Sequence, residues 1–528
     1  MSNHPHSLVI NSPSGRLYIS SVNCLRIFFL SLIIILFFLL RLPNLTLLPV
    51  FADEAIYLRW AQVMKSEPTL RFLPLSDGKQ PLFMWLVMIF LKFFKNPLYC
   101  GRAISVFSGL GSLAGIFFLG RLVFDDQRVG LAGAFFYAIT PFFVFFDRMA
   151  LVDSLLTCLV IWFFVFSIWL AKNPRLDLAM ISGIILGLAL ITKSPGLFLA
   201  FLLPATLLWF RPERKKNRKK KLSLFRLGIF WLVIWFFGFV IYNLLRLGPN
   251  FGLISSRNQD YVFSLAEVLS HPLDPLRPHL NDLRQWLPNL FTWPILGLAI
   301  WGVIRGFKSP SIKAVIFLLT IAGLPVLAQA GIARVFTPRY LLFAVWPVSL
   351  LAAFGLVSLS GRRPKYQAWL ILVFLIWPLF YNWHLLTDPP KAPLPRKMRS
   401  GYLEEWTSGS GILEAADFIK ERLRSGRAEK VLVGTEGYFG TLPDGLQIYL
   451  NHFPGVVVLG VGQPIRQVPP ELLSATVDNE VYLVVNQSRM FVPQDPRLEL
   501  IKKYPKAIGP DNQDFLLLYQ VKNTKPGA

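Results

Sequence analysis

Eleven runs of apolar residues, most of them close to the ~20 residues that a helix needs to cross the hydrocarbon of a bilayer, dominate this chain. They lie near 24–41, 102–120, 128–146, 151–171, 177–192, 195–210, 227–245, 289–304, 312–330, 340–358 and 366–386. Segments of this kind satisfy their backbone polar groups internally only as helices, so the expected fold class is an α-helical polytopic membrane protein. Composition agrees: only 16% of the 528 residues are charged, against about 25% in soluble domains. An ordinary soluble protein is excluded, and no repeat of fixed period is present.

The formal charge of +24 would suggest nucleic acid in a soluble chain, but in a membrane chain it reports topology. The segment Arg211–Arg226 holds nine Lys/Arg and one acid, and the positive-inside rule puts it in the cytosol. The first apolar run lacks a small-residue cleavage site and reads as an uncleaved anchor, with segment 1–23 cytosolic. Six spans then precede the basic loop. The apolar stretch 81–95 is too short for a seventh and carries Lys92 and Lys95, so it is expected as an interfacial helix within an outer loop, 42–101. The other outer segments are 147–153, 246–288 and 331–339. No nucleic-acid partner is implied.

Beyond the spans, 24–386, a Pro-rich connector (387–399) leads to a polar tail, 400–528. There, strand-like runs (KVLVGT, GVVVLGV, EVYLVV, FLLLYQV) alternate with helical ones (ILEAADFIKERLR, LPDGLQIYLNHF), which predicts a small extracytoplasmic α/β domain. Cys24, Cys100 and Cys158 lie in or beside apolar runs, so neither a disulfide framework nor a Cys-based metal site is implied.

The chemistry-bearing residues are few and map to the outer face. Asp53 and Glu54 open a helix-forming stretch, where Asp53 serves either as an N-cap or toward a substrate. Asp147, Arg148 and Asp153 share a short loop, and Asp153 again suits a cap or a site. Lys79 precedes Pro81 and the interfacial stretch. Lys193 ends a span, and Arg339 stands in Thr337-Pro338-Arg339-Tyr340. Each cation either snorkels to headgroups or binds a lipid phosphate. Acids and cations converging on one face describe a site for a phosphate-bearing lipid, whereas a transporter places ionisable groups in mid-span. No His/Asp/Glu cluster has ligand spacing, so a metal cofactor is not supported.

Residues 51–64 (FADEAIYLRWAQVM), 77–86 (DGKQPLFMWL), 101–128, 147–153 (DRMALVD) and 187–196 (GLALITKSPG) resemble, in order and spacing, the protein O-mannosyltransferase and aminoarabinose transferase-like branch of the GT-C membrane glycosyltransferases. The resemblance covers residues 24–200 well and later spans loosely, with TPRY at 337–340 also typical. It implies a GT-C fold of about eleven spans with juxtamembrane helices, and transfer of a sugar from a polyisoprenyl-phosphate donor to an acceptor at the outer face of the plasma membrane. Asp53 is then the expected base, with Glu54 and Asp153 as further catalytic candidates. Lys79, Lys193 and Arg339 are the expected donor-phosphate ligands, with Arg148, Tyr57 and Tyr340 in support.

Two departures are visible. The acidic pair is Asp53-Glu54 rather than Asp-x-Asp, and Gln80 stands where the family often has a first proline. The sequence leaves the sugar open among a hexose, a pentose and an amino sugar, and leaves the acceptor open among lipid, glycan and protein. The competing reading is a non-catalytic or translocating polyprenyl-phosphate-handling protein, in which the outer acids only cap helices.

Overall fold

The computed structural model describes residues 7–12, 15–210, 217–360, 364–426, 428–492 and 495–523. Segments 1–6, 211–216 and 361–363, on which part of the cytosolic assignment rests, lie outside the described residues. A short antiparallel hairpin, β1 (Ser7–Ser12) and β2 (Gly15–Ser20), precedes the first apolar helix, α1 (Ser21–Leu39).

Each apolar run coincides with a helix, a bent helix pair or a broken helical stretch. Among the described residues, four helices are by themselves long and apolar enough to cross a membrane: Pro97–Phe124, Val152–Lys172, Leu224–Leu247 and Ile312–Ile332. Three bent pairs raise the number to seven if each is one span, and Arg26–Leu39, Leu176–Leu190 and Ser194–Trp209 are shorter apolar segments. The bends have local causes. Gln127–Ile139 and Pro141–Asp147 meet at 63°, where Pro141 lacks the N–H that would continue the first helix.

Segment 42–101, expected as the first outer loop, contains α2 (Ala52–Ser66) and α3 (Leu82–Phe90). At nine residues, α3 extends only about 13 Å, far short of a bilayer. Its first N–H is taken by Ile191 O at 3.1 Å, which ties it to the end of a span as an interfacial helix would be. The bundle then continues through α4 (Pro97–Phe124), α5 (Gln127–Ile139), α6 (Pro141–Asp147), α7 (Val152–Lys172) and α8 (Leu176–Leu190). A further short helix, α9 (Leu253–Tyr261), lies in the 246–288 segment, and α10 (Ile312–Ile332) is one of the four long apolar helices.

The tail forms a five-stranded sheet in the order β4-β3-β5-β7-β6. Its strands are β3 (Val431–Thr435), β4 (Val456–Gly460), β5 (Glu480–Asn486), β6 (Leu498–Pro505) and β7 (Phe515–Val521). The first three are parallel, connected by α12 (Asp444–Leu450) and α13 (Pro470–Ala475), and β6 and β7 add antiparallel strands. The helix α11 (Ile412–Arg424) precedes β3 and presents its apolar stripe, Ile412, Ala415, Ala416 and Ile419, to the core.

The tail is packed onto the membrane part. Ala52 N–H donates to Thr407 O (3.1 Å), Gly409 N–H to Val50 O (2.8 Å), and Phe51 and Ser408 form an antiparallel bridge. The Tyr402 ring packs at a tilt against Phe51, ring centroids 4.5 Å apart, and edge-to-face against Phe145 at 5.0 Å. Gln62 Nε2 on α2 reaches Ile448 O on α12 at 2.9 Å. The Trp406–Ile412 stretch is thus a splint along the residues that lead into Asp53.

Candidate active site

A buried electrostatic frame sets the start of α2. Glu54, fully buried, accepts from Arg102 Nε (2.8 Å) and Nη2 (2.7 Å), from Phe51 N–H (2.9 Å) and from Ala150 N–H (2.6 Å). Arg102 spends its remaining donors on the carbonyls of Leu45, Leu48 and Pro49. Arg148 caps the carbonyls of Arg41, Pro43 and Asn44, and Arg41 pairs with Asp147 at 2.9 Å. Tyr137 and Ser154 donate to the same Asp147 carboxylate. Gly109 leaves room for it, since a Cβ there would stand 2.4 Å from Asp147 Oδ2.

This frame corrects two expectations. Glu54 is not beside Asp53 in the site: neighbours on a helix point ~100° apart, and Glu54 turns inward to close α2 against Arg102. Arg148 likewise faces backbone carbonyls rather than the cavity. Nor is either remaining acid a cap. Phe51 is the N-cap of α2 and Leu151 of α7, which leaves Asp53 and Asp153 in first turns with their side chains free for other partners.

Those partners line one cavity of about 420 Å³. Asp53 Oδ1 accepts from Lys79 Nζ at 3.3 Å, and its Oδ2 meets Arg339 Nη1 at 2.5 Å. Asp153 Oδ1 accepts from Lys193 Nζ at 2.6 Å. Tyr57 and Tyr340 line the same space; Lys193 lies 4.2 Å from the Tyr340 ring centroid, and Lys79 5.2 Å from that of Tyr57. Seven of the nine singled-out residues therefore converge, all but Glu54 and Arg148.

Burial by itself raises the pKa of Asp53, but the Arg339 and Lys79 charges overcome it and hold the carboxyl well below the usual carboxylate range. For Lys79, burial works downward and is outweighed by Asp53, with Tyr57 and Asp77 assisting, so its ammonium is held above the ordinary lysine range. The pair is charged throughout the neutral region.

Lys79 is aimed by a turn that only glycine permits. Gly78 has φ +65°, and a Cβ there would lie 2.4 Å from Arg257 Cβ and 2.5 Å from Leu253 O. That contact brings in residues with no role assigned from the sequence. Arg257 and Asn258, on α9, line the cavity, and Arg257 pairs with Asp77 at 3.6 Å and Asp260 at 3.1 Å. Gln80 Nε2 donates to Ser194 Oγ (2.8 Å), which donates to Asn258 Oδ1 (3.0 Å). The available signal was adjacency, because Gln80 follows Lys79 and Ser194 follows Lys193. Another part of the lining is apolar, and there Leu197, Phe201, Ile332 and Val335 are all exposed. Among the described residues no group of three or more His, Cys, Asp or Glu could hold a metal ion.

Residues 78–237 match the family model described as dolichyl-phosphate-mannose-protein mannosyltransferase. No curated protein matches the chain by sequence. Among solved structures, the chain is similar to ArnT from Cupriavidus metallidurans bound to undecaprenyl phosphate: TM-score 0.56, 14% identity, covering 96% of this chain and 99% of that one. The apo state of that ArnT gives 0.53 and 15% identity, over 94% of this chain and 98% of that one. The archaeal oligosaccharyltransferase AglB from Archaeoglobus fulgidus, in complex with an inhibitory peptide and a dolichol-phosphate, gives 0.50 and 13% identity, over 88% of this chain and 69% of that one. Residues 78–237 are thus similar in sequence to that mannosyltransferase family, and the chain shares the fold of these solved structures.

Proposed function

We propose that this protein transfers a sugar from a polyisoprenyl-phosphate donor to an acceptor at the outer face of the plasma membrane, with the N-terminus cytosolic and the tail domain outside. The observation that carries the reading is the two-sided cavity: carboxylates and cations at one end, exposed apolar side chains toward lipid at the other. An isoprenoid tail suits the apolar wall, and its phosphate suits Lys79, Arg257, Lys193 and Arg339. The lipid phosphates bound to ArnT and AglB, which share the fold, support the same donor class.

In this reading the acceptor hydroxyl or amine attacks the anomeric carbon while the bond from that carbon to the phosphate oxygen breaks. Polyprenyl phosphate leaves with the bonding pair, and its developing charge is stabilised by the side-chain cations, so the step is drawn without a metal. Asp53 takes the acceptor proton. One displacement inverts the anomeric configuration.

The ion pairs also set an order of events. A carboxylate held by Arg339 and Lys79 is a weak base, and a donor phosphate competes for those same cations. Loading the donor therefore returns basicity to Asp53 just when the acceptor proton must be removed. Asp153, paired with Lys193 in the same cavity, is assigned to aligning the acceptor.

The test uses purified protein in lipid nanodiscs with a polyprenyl-phosphate donor carrying a radiolabelled sugar and a membrane extract as acceptor. Label is expected to leave the donor and enter the acceptor fraction. Movement of intact donor between leaflets with no change in its chemistry would instead favour the translocating alternative.

A further inference from the structure

Three dipeptides from three separate elements meet on one wall of the cavity, and each joins a cation to a neutral hydrogen-bonding residue: Lys79-Gln80, Lys193-Ser194 and Arg257-Asn258. The neutral members form a continuous chain, Gln80 Nε2 to Ser194 Oγ to Asn258 Oδ1. Gln80 is 6% exposed, and a buried amide is kept in place by the hydrogen bonds it makes. The chain leaves the Asn258 amide N–H groups and the Gln80 carbonyl at its two ends, a donor set and an acceptor. Hydroxyl groups, which donate and accept, match both ends.

The charges of the cavity point the same way. Four cations line it, Lys79, Lys193, Arg257 and Arg339, against two carboxylates, Asp53 and Asp153. Both carboxylates are already paired. The nearby Asp77 is occupied by Lys79 at 3.2 Å and Arg257 at 3.6 Å. The three wall side chains carry no charge and each is flanked by a cation, so an ammonium group on a sugar held against them finds no carboxylate on that wall.

Resting on the donor reading above, we propose that the Gln80–Ser194–Asn258 wall is the subsite that holds the donor's sugar, and that it selects an uncharged polyhydroxy sugar over a cationic amino sugar. Position supports this assignment: each neutral side chain follows a cation that faces the phosphate, which puts the hydrogen-bonding groups one residue from the phosphate to which the sugar is attached.

The experiment measures Kd on the full-length protein in nanodiscs for three probes: bare undecaprenyl phosphate, the same lipid bearing a neutral hexose, and the same lipid bearing an amino sugar. The neutral sugar is expected to add about tenfold to the affinity of the bare lipid, as one or two well-made hydrogen bonds would, and the amino sugar to add nothing or to weaken binding. Gln80→Leu and Asn258→Leu should each remove the gain from the neutral sugar while leaving the bare lipid bound as in the wild type. Gln80→Glu, which supplies a carboxylate, should raise the affinity for the amino-sugar lipid relative to the neutral one, and it decides the matter if Gln80→Leu also loses the bare lipid. Tighter wild-type binding of the amino-sugar lipid, a gain that survives both leucine variants, or an unshifted Gln80→Glu preference overturns the proposal. Failure of bare undecaprenyl phosphate to bind the wild type overturns the donor reading beneath it.

Discussion

At the scale of single residues, Asp53 and Glu54 show how adjacent carboxylates divide their work. Asp53 faces the cavity with two cations on it, whereas Glu54 is enclosed by Arg102 and two backbone N–H groups. Removing one partner of a fully buried pair leaves an uncompensated charge, a loss of about 3–5 kcal/mol. Arg102→Met is therefore expected to lower the thermal unfolding midpoint markedly, and the double variant Arg102→Met with Glu54→Gln to recover part of it; equal melting of wild type and Arg102→Met would contradict the role. Lys79→Met should weaken binding of bare undecaprenyl phosphate by about tenfold or more, since a charge-assisted hydrogen bond is worth roughly 1.5–3 kcal/mol, as read by the same nanodisc titration. The sequence carried Asp53, Asp153 and Lys79 because isolated charges beside apolar runs are costly and stand out. It did not carry the direction of Glu54, which depends on an arginine 48 positions away, nor the neutral wall, because a glutamine, a serine and an asparagine have no cost that marks them.

At the scale of elements, the turn at Gly78 joins Lys79 to α9, and the splint at Trp406–Ile412 joins the tail to α2. Gly78→Val forces a Cβ into Arg257 and the backbone of Leu253 at a left-handed φ. It should abolish binding of the lipid phosphate, measured by titration, while proteolysis still yields an intact tail fragment. The tail also approaches the site through Asp444, whose carboxyl burial pushes up to about 6 despite the Gly440 N–H and the charges of Arg59 and Lys79. A carboxyl raised in the folded state costs stability as pH climbs from its unfolded value near 4 to about 6, and changes nothing further above that. Asp444→Asn is expected to remove that part of the pH dependence of thermal unfolding; an unchanged slope between about pH 4 and 6 in the variant excludes the assignment. Legibility at this scale followed pattern strength. The α11 stripe and the strand runs of β3, β4, β5 and β7 were readable, and β6 was not. Its burial does not alternate, and Lys502, Lys503 and Pro505 mark it as an edge strand, where charge and proline discourage pairing with another chain. Bent pairs such as α5 and α6 read from sequence as single runs because hydropathy does not register direction.

At the scale of the whole molecule, the positive excess that first pointed to topology acquires a second meaning. Part of it carries the orientation expected from the positive-inside rule, and a small part, four cations around one cavity, is matched against carboxylates in a way that a phosphate can rearrange. The bundle supplies an exposed apolar wall, segment 42–101 supplies Asp53 and Lys79, and the tail is bonded to the residues that lead into Asp53. The central claim is that this rearrangement places Asp53 as the base for displacement of polyprenyl phosphate. The most direct measurement is the single-turnover rate at which free polyprenyl phosphate appears with saturating sugar donor and acceptor, compared between wild type and Asp53→Asn, with donor Kd measured on both. The account predicts a rate lower by about 10²–10⁴-fold in the variant, with donor binding unchanged or tighter because a competing carboxylate is gone. Release of polyprenyl phosphate at the wild-type rate by Asp53→Asn would contradict it.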